Sequence, residues 1–141
     1  MIASTDEWYK AAYGNLNGTW SNYPTGSDSA PTAVSSGTAT NTAVYGGITY
    51  GVSGPADISN AGGLSPWGTM GQGGNVWEWN ETAYDGTNNS ADENRDLRGG
   101  IWYYSFFLDA SARLNINPTN EDVSTGFRVA SVPEPSSLSL L

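Results

Sequence analysis

The chain has 141 residues, with 14 Asp and Glu against 5 Lys and Arg and a formal net charge of −9. Such a surface repels nucleic-acid phosphates, whose binding relies on Lys and Arg, and it disfavours anionic membrane surfaces for the same reason. The chain contains neither Cys nor His, which excludes disulfides, thiolate nucleophiles, iron–sulfur clusters and the usual zinc sites, and removes the commonest general base.

The length suits one domain or part of one. Six Trp and eight Tyr are too many for a disordered chain. Eighteen Gly and only 13% charged residues predict a loop-rich globular fold held by aromatic packing. Acidic, oxygen-rich loops of this kind are compatible with hard cations such as calcium. Residues 1–20 hold no basic segment followed by an apolar run, the pattern of a signal peptide, and no apolar stretch reaches the length of a membrane-spanning helix.

The first predicted element is a short helix over residues 4–13. Ser4 can cap it and Glu7 can complete a capping box, with Asp6 and Glu7 at the positive end of the helix dipole. Trp8, Ala11 and Ala12 fall on one apolar face, and Gly14-Asn15 ends the helix. Residues 14–66 are dominated by Gly, Ser, Thr, Asn, Asp and Pro and read mostly as long loops. So much loop in a compact domain implies either an organising ligand or a fold that is loop-rich by nature. Within it, residues 42–45 and 48–50 could be short strands of a hairpin turning at Gly46-Gly47.

Residues 75–79 and 127–132 read as buried strands by their aromatic and β-branched content. On a strand, Trp77 and Trp79 face one way, which points to core packing. Residues 95–102 hold a turn and the start of a strand. Arg98 and Arg128 read as structural arginines that tie carbonyls together. Trp102-Tyr103-Tyr104-Ser105-Phe106-Phe107-Leu108-Asp109 is a dense aromatic run. As a loop it offers apolar faces beside polar atoms, suited to a sugar or a peptide; as a strand it would partly cover the core. Val132-Pro133-Glu134-Pro135 cannot continue a central strand, so the chain leaves the domain there.

Several segments together resemble the formylglycine-generating-enzyme family, the sulfatase-modifying-factor domain. These are Thr5 to Ala12, Tyr23-Pro24-Thr25-Gly26, Gly73-Gly74-Asn75-Val76-Trp77-Glu78-Trp79, Leu97-Arg98-Gly99-Gly100-Ile101-Trp102 and Gly126-Phe127-Arg128-Val129. The resemblance runs from about Ser4 to Ala130. It implies an α+β, loop-rich, C-type-lectin-like fold over residues 1–131. Family members carry further strands ahead of the first helix, so the abrupt start here predicts an N-terminal truncation. Residues 132–141 resemble the start of a PEP-CTERM sorting tail, which implies a bacterial protein exported to the cell envelope or beyond it. Membrane attachment would come only through a continuation of that tail.

In the enzyme this family is named for, two cysteines hold copper(I), an ion that suits soft thiolates. The matching positions here are about Tyr104 and Asp109, so the resemblance predicts no copper site and no formylglycine formation. A non-haem iron branch of the family uses His and carboxylate, and this chain has no His. The resemblance also implies a structural calcium site from the carbonyls of Gly74 and Val76 and the carboxylate of Glu78. Gly71 stands where the family has a further side-chain ligand. The alternative for Glu78 is an ion pair with Arg98 or Arg128, or hydrogen bonds from backbone amides. The family's active-site groove falls on the aromatic run, so Trp102, Tyr103, Tyr104, Phe106 and Asp109 are the candidate ligand contacts, for a glycan or a peptide. The leading expectation is a non-catalytic binding module. An enzyme with a non-standard or incomplete site and a structural envelope protein are the alternatives.

Overall fold

A computed structural model describes residues 1–131; the tail expectation at 132–141 lies outside the described residues. Helix α1 spans Thr5–Tyr13. Both arms of the capping box form: Ser4 Oγ accepts from the Glu7 amide, and a Glu7 carboxylate oxygen accepts from the Ser4 amide at 2.8 Å. The Ser4 amide and then its hydroxyl hold the Glu7 carboxyl below its ordinary range. The buried face of α1 is Trp8, Ala12 and Tyr13, with Ala11 only half-buried.

Strands β1 (Thr32–Ala33) and β2 (Thr42–Ala43) form a two-residue parallel ladder. The main sheet has four strands, β3 (Trp77–Ala83), β4 (Arg95–Arg98), β5 (Leu114–Ile116) and β6 (Thr125–Phe127), in the order β5-β4-β3-β6. β3 pairs antiparallel with β4 and parallel with β6. The strand period of two sends alternate side chains to opposite faces. On one face Trp77, Leu97 and Ile101 form a core, with Trp79, Trp102, Phe107 and Ile116 packed on it. On the other face α1 brings a second core of Ala3, Trp8, Ala12 and Tyr13.

Between α1 and the sheet lies a charged seam. The Asp96 side chain is fully buried. It accepts from Thr5 Oγ1 at 2.8 Å, Arg98 Nε at 3.2 Å and Arg113 Nε at 2.9 Å. Arg98 also donates to the carbonyls of Ala110 and Ala112, and so ties the chain after the aromatic run to the sheet.

Two local expectations are corrected. Residues 42–50 do not form a hairpin: Gly47–Tyr50 is a 3₁₀ turn, entered through Gly46 and Gly47 at φ 87° and 62°. Their amides donate to Tyr104 O at 2.8 Å and Trp102 O at 2.9 Å, so a tertiary contact takes the place of a returning strand. Of the strand expected over residues 127–132, the described part, 127–131, is not a buried strand either. β6 ends at Phe127 on the edge of the sheet, and Phe127 and Val129 are exposed while Arg128 turns inward between them.

Candidate functional site

The site is a loop launched from the end of β4. Gly99 and Gly100 adopt φ 94° and 79°, a region that favours glycine. A Cβ on Gly99 would meet Gln72 O at 3.0 Å, and one on Gly100 would meet Phe107 O at 3.1 Å. At both glycines of the Arg-Gly-Gly run a side chain would therefore be strained by the backbone and crowded by a neighbouring carbonyl. Ile101 and Leu108 are buried and anchor the loop at its two ends.

The Gly-Asn-Val-Trp-Glu-Trp segment supplies the floor. Asn75 sits at φ 62°, a conformation Asn tolerates better than most residues. Its side-chain amide accepts from the Ala56 amide at 2.7 Å and donates to Ala56 O at 3.3 Å, as a neighbouring strand would. Its backbone amide donates to Val44 O, and its carbonyl accepts from the Trp102 amide at 3.0 Å. The loop is thus pinned by Asn75 on one side and by Gly46 and Gly47 on the other. Tyr13, buried in the α1 core, holds the far end, its hydroxyl donating toward the carbonyls of Leu108 and Asp109. Burial pushes the Tyr13 phenol up, so it stays a neutral donor.

Residues 102–107 form no strand, which settles the two readings of this segment in favour of a loop. Tyr103, Tyr104 and Phe106 are 41%, 40% and 53% exposed. They are in mutual contact: ring centroids lie 4.5 Å apart for Tyr103 and Tyr104, and 5.0 Å apart and stacked for Tyr104 and Phe106. Trp102 is half-buried and meets the Tyr103 ring edge-on at 4.9 Å. Phe107 links the platform to the core, 4.4 Å from Phe106 and 5.3 Å from Trp77. It does so at φ 77°, a strained conformation for an aromatic residue.

Beside the platform is a cavity of about 160 Å³, lined by Tyr23, Pro31, Tyr45, Phe106, Leu108 and Asp109 among others. The Tyr45 hydroxyl donates to Pro31 O at 2.6 Å, and burial raises its phenol pKa. Asp109 Oδ1 accepts from the Ser111 amide at 3.0 Å. The structure therefore gathers Tyr103, Tyr104, Phe106 and Asp109 around one surface, with Trp102 as its inner support. Tyr23 and Tyr45 are wall residues that the sequence reading did not single out; the Tyr-Pro segment at 23–24 was the available signal.

Of the three residues expected to hold calcium, Gly74 lies against Val44 and Tyr45 and Val76 against Gly126, while the Glu78 side chain faces α1. Glu78 is buried, with Oε1 accepting from Arg128 Nη2 at 2.6 Å and Oε2 from Arg128 Nε at 3.0 Å and Trp8 Nε1 at 2.5 Å. Of the two arginines expected as ion-pair partners, the one that meets this carboxylate is Arg128. A calcium ion bound at this carboxylate would compete with the Arg128 guanidinium for its oxygens.

A loop-rich α+β domain with a glycine-launched aromatic platform thus defines the class of protein. The model of the sulfatase-modifying factor enzyme 1-like domain matches residues 2–132, and the chain belongs to that family. Among solved structures it is similar to Treponema denticola variable protein 1, with a TM-score of 0.61 and 22% identity over 90% of this chain and 45% of that one. The chain thus spans less than half the length of that protein, and the likeness is one of fold. Comparison with the curated proteins gives no match.

Proposed function

We propose that this domain is a non-catalytic binding module of its family, working outside the cell, that presents the 102–109 platform to a glycan or peptide. The observation that carries the reading is the contiguous exposed face of Tyr103, Tyr104 and Phe106, on a loop hydrogen-bonded at Trp102 and Tyr104 and packed through Phe107 on the core. Large aromatic faces left in water on a pinned loop are costly for a purely structural element and useful for a ligand. With no Cys and no His, the chain brings neither the copper thiolates nor the imidazole ligands of the family's oxidative chemistry. Tyr104 and Asp109 offer only oxygen to a metal. The C-type-lectin-like arrangement and export through the Val132-Pro133-Glu134-Pro135 tail belong to the same proposal.

A glycan and peptide binding screen tests it. Tyr104→Ala should weaken any bound ligand about tenfold or more, the scale of an aromatic hot spot, with the fold intact by circular dichroism. A ligand unaffected by Tyr104→Ala and Phe106→Ala, or formylglycine product in a copper-supplied turnover assay, would overturn the reading.

Calcium at Gly74, Val76 and Glu78 enters the proposal as a competitor of Arg128. An ion that binds only the folded state raises the melting temperature as it is added. Arg128→Gln should show the larger calcium-dependent rise, because it frees the carboxylate. No calcium effect in either protein would remove the ion from this site.

A further inference from the structure

A second cavity lies at the C-terminal end of α1, with walls distinct from those of the cavity beside the platform. It measures about 240 Å³, and its walls include Lys10, Gly14, Leu16, Thr19, Trp20 and Trp67. Trp20 and Trp67 are 57% and 47% exposed. Each indole sits on a hydrogen-bonded turn. The Trp20 loop is closed by the Asn15 amide to Thr19 O at 2.9 Å and the Ser21 amide to Tyr13 O at 2.9 Å. The Trp67 turn is closed by the Ser65 amide to Thr69 O at 2.8 Å and the Gly68 amide to Ser65 O at 2.9 Å. Tyr9 buttresses Trp20, with centroids 5.4 Å apart. Gly14 keeps the wall between them thin, since a Cβ there would meet Lys10 O at 2.7 Å and Trp67 Nε1 at 3.3 Å.

The charge at the rim is the distinguishing feature. Lys10 is the chain's single lysine. Each of the four arginines pairs with a carboxylate: Arg95 with Glu93, Arg98 and Arg113 with Asp96, Arg128 with Glu78. Lys10 has no such partner among the described residues, although Asp6 stands one turn earlier on α1. Its ammonium lies 5.6 Å from the centroid of the Trp67 ring. In a chain of net charge −9 this is a locally cationic, indole-walled pocket.

We infer that this cavity is a second ligand site, for a single pyranose ring bearing a carboxylate, an acidic sugar of the uronate class. The C–H face of a pyranose is apolar and stacks on an indole, while its hydroxyls face water or polar neighbours. The indole N–H groups and the ammonium are donors, and a carboxylated sugar is rich in acceptors. The ammonium supplies the charge-assisted bond that separates an acidic ring from a neutral one. The volume lies below the roughly 300–1,000 Å³ of drug-sized sites, so one ring fills it and the rest of a chain would extend into solvent.

The test is an NMR titration of the whole chain, following the indole N–H resonances of Trp20 and Trp67, with methyl glucuronide and methyl glucoside as probes. Saturable shifts are expected with the glucuronide, and binding about three- to fivefold weaker with the glucoside, the scale of one exposed ion pair. Lys10→Gln should erase that preference and keep the weaker binding; Lys10 is exposed, so the variant folds. Raised salt should shrink the preference as well. Trp67→Ala should lose both ligands. Tyr104→Ala should leave both unchanged, which separates this site from the 102–109 platform. Absence of saturable shifts, equal affinity for the two probes, or an acid preference that survives Lys10→Gln would overturn the assignment.

Discussion

Asp96→Ala should destabilise the domain by about 3–5 kcal/mol, the usual cost of breaking a buried ion pair by removing one partner. The carboxylate is fully buried and takes hydrogen bonds from Thr5, Arg98 and Arg113. Without it the Arg98 guanidinium, whose side chain is 7% exposed, remains in the seam with no counter-charge. Domains of this size are stable by only about 5–15 kcal/mol, so a single substitution would remove a large share. Asp96→Asn should cost less, because an amide oxygen still accepts from Thr5. Urea unfolding measures both, as a fall in midpoint at unchanged slope. An Asp96→Ala midpoint shift no larger than that of exposed Asp92→Ala would sink the argument.

Asp96 also shows where sequence reading stops. Arg98 reads as structural from the sequence, but nothing local marks the carboxylate two residues earlier as its partner. Residues 96 and 98 do share a face of a strand, and that face is the one covered by α1. The helix was legible in detail because a capping box is a local pattern, complete within four residues. The aromatic run was legible as a candidate surface because so many rings cannot all be core in a loop. What could not be read locally was set by distant partners. Gly46-Gly47 has the composition of a hairpin turn, but its amides bond to carbonyls more than fifty residues away. Glu78 could be expected to pair with Arg98 or with Arg128, and its partner is Arg128, from a segment fifty residues away, with Trp8 donating to the same carboxylate. Phe127 and Val129 have the composition of a buried strand, yet they sit at a sheet edge with the arginine between them turned inward.

Trp77→Ala should cost about 3–5 kcal/mol, as large-to-small changes at buried aromatic positions do. Trp77 is 5% exposed at the centre of its core. The effect should reach beyond stability. The Trp77 ring supports Phe107, whose φ of 77° is held by its surroundings, and Phe107 in turn supports Phe106 and the platform. Removing the indole releases that strained residue, and a loop free to relax loses the order on which a binding face depends. Trp77→Phe keeps a ring against Phe107 and should retain most of the binding with a smaller loss of stability. Two measurements check this: thermal unfolding against the exposed Val123→Ala control, and affinity for whatever ligand the platform screen returns. A melting shift no larger than the control would place Trp77 outside the core. Full affinity in a folded Trp77→Ala protein would show that the platform stands without its support.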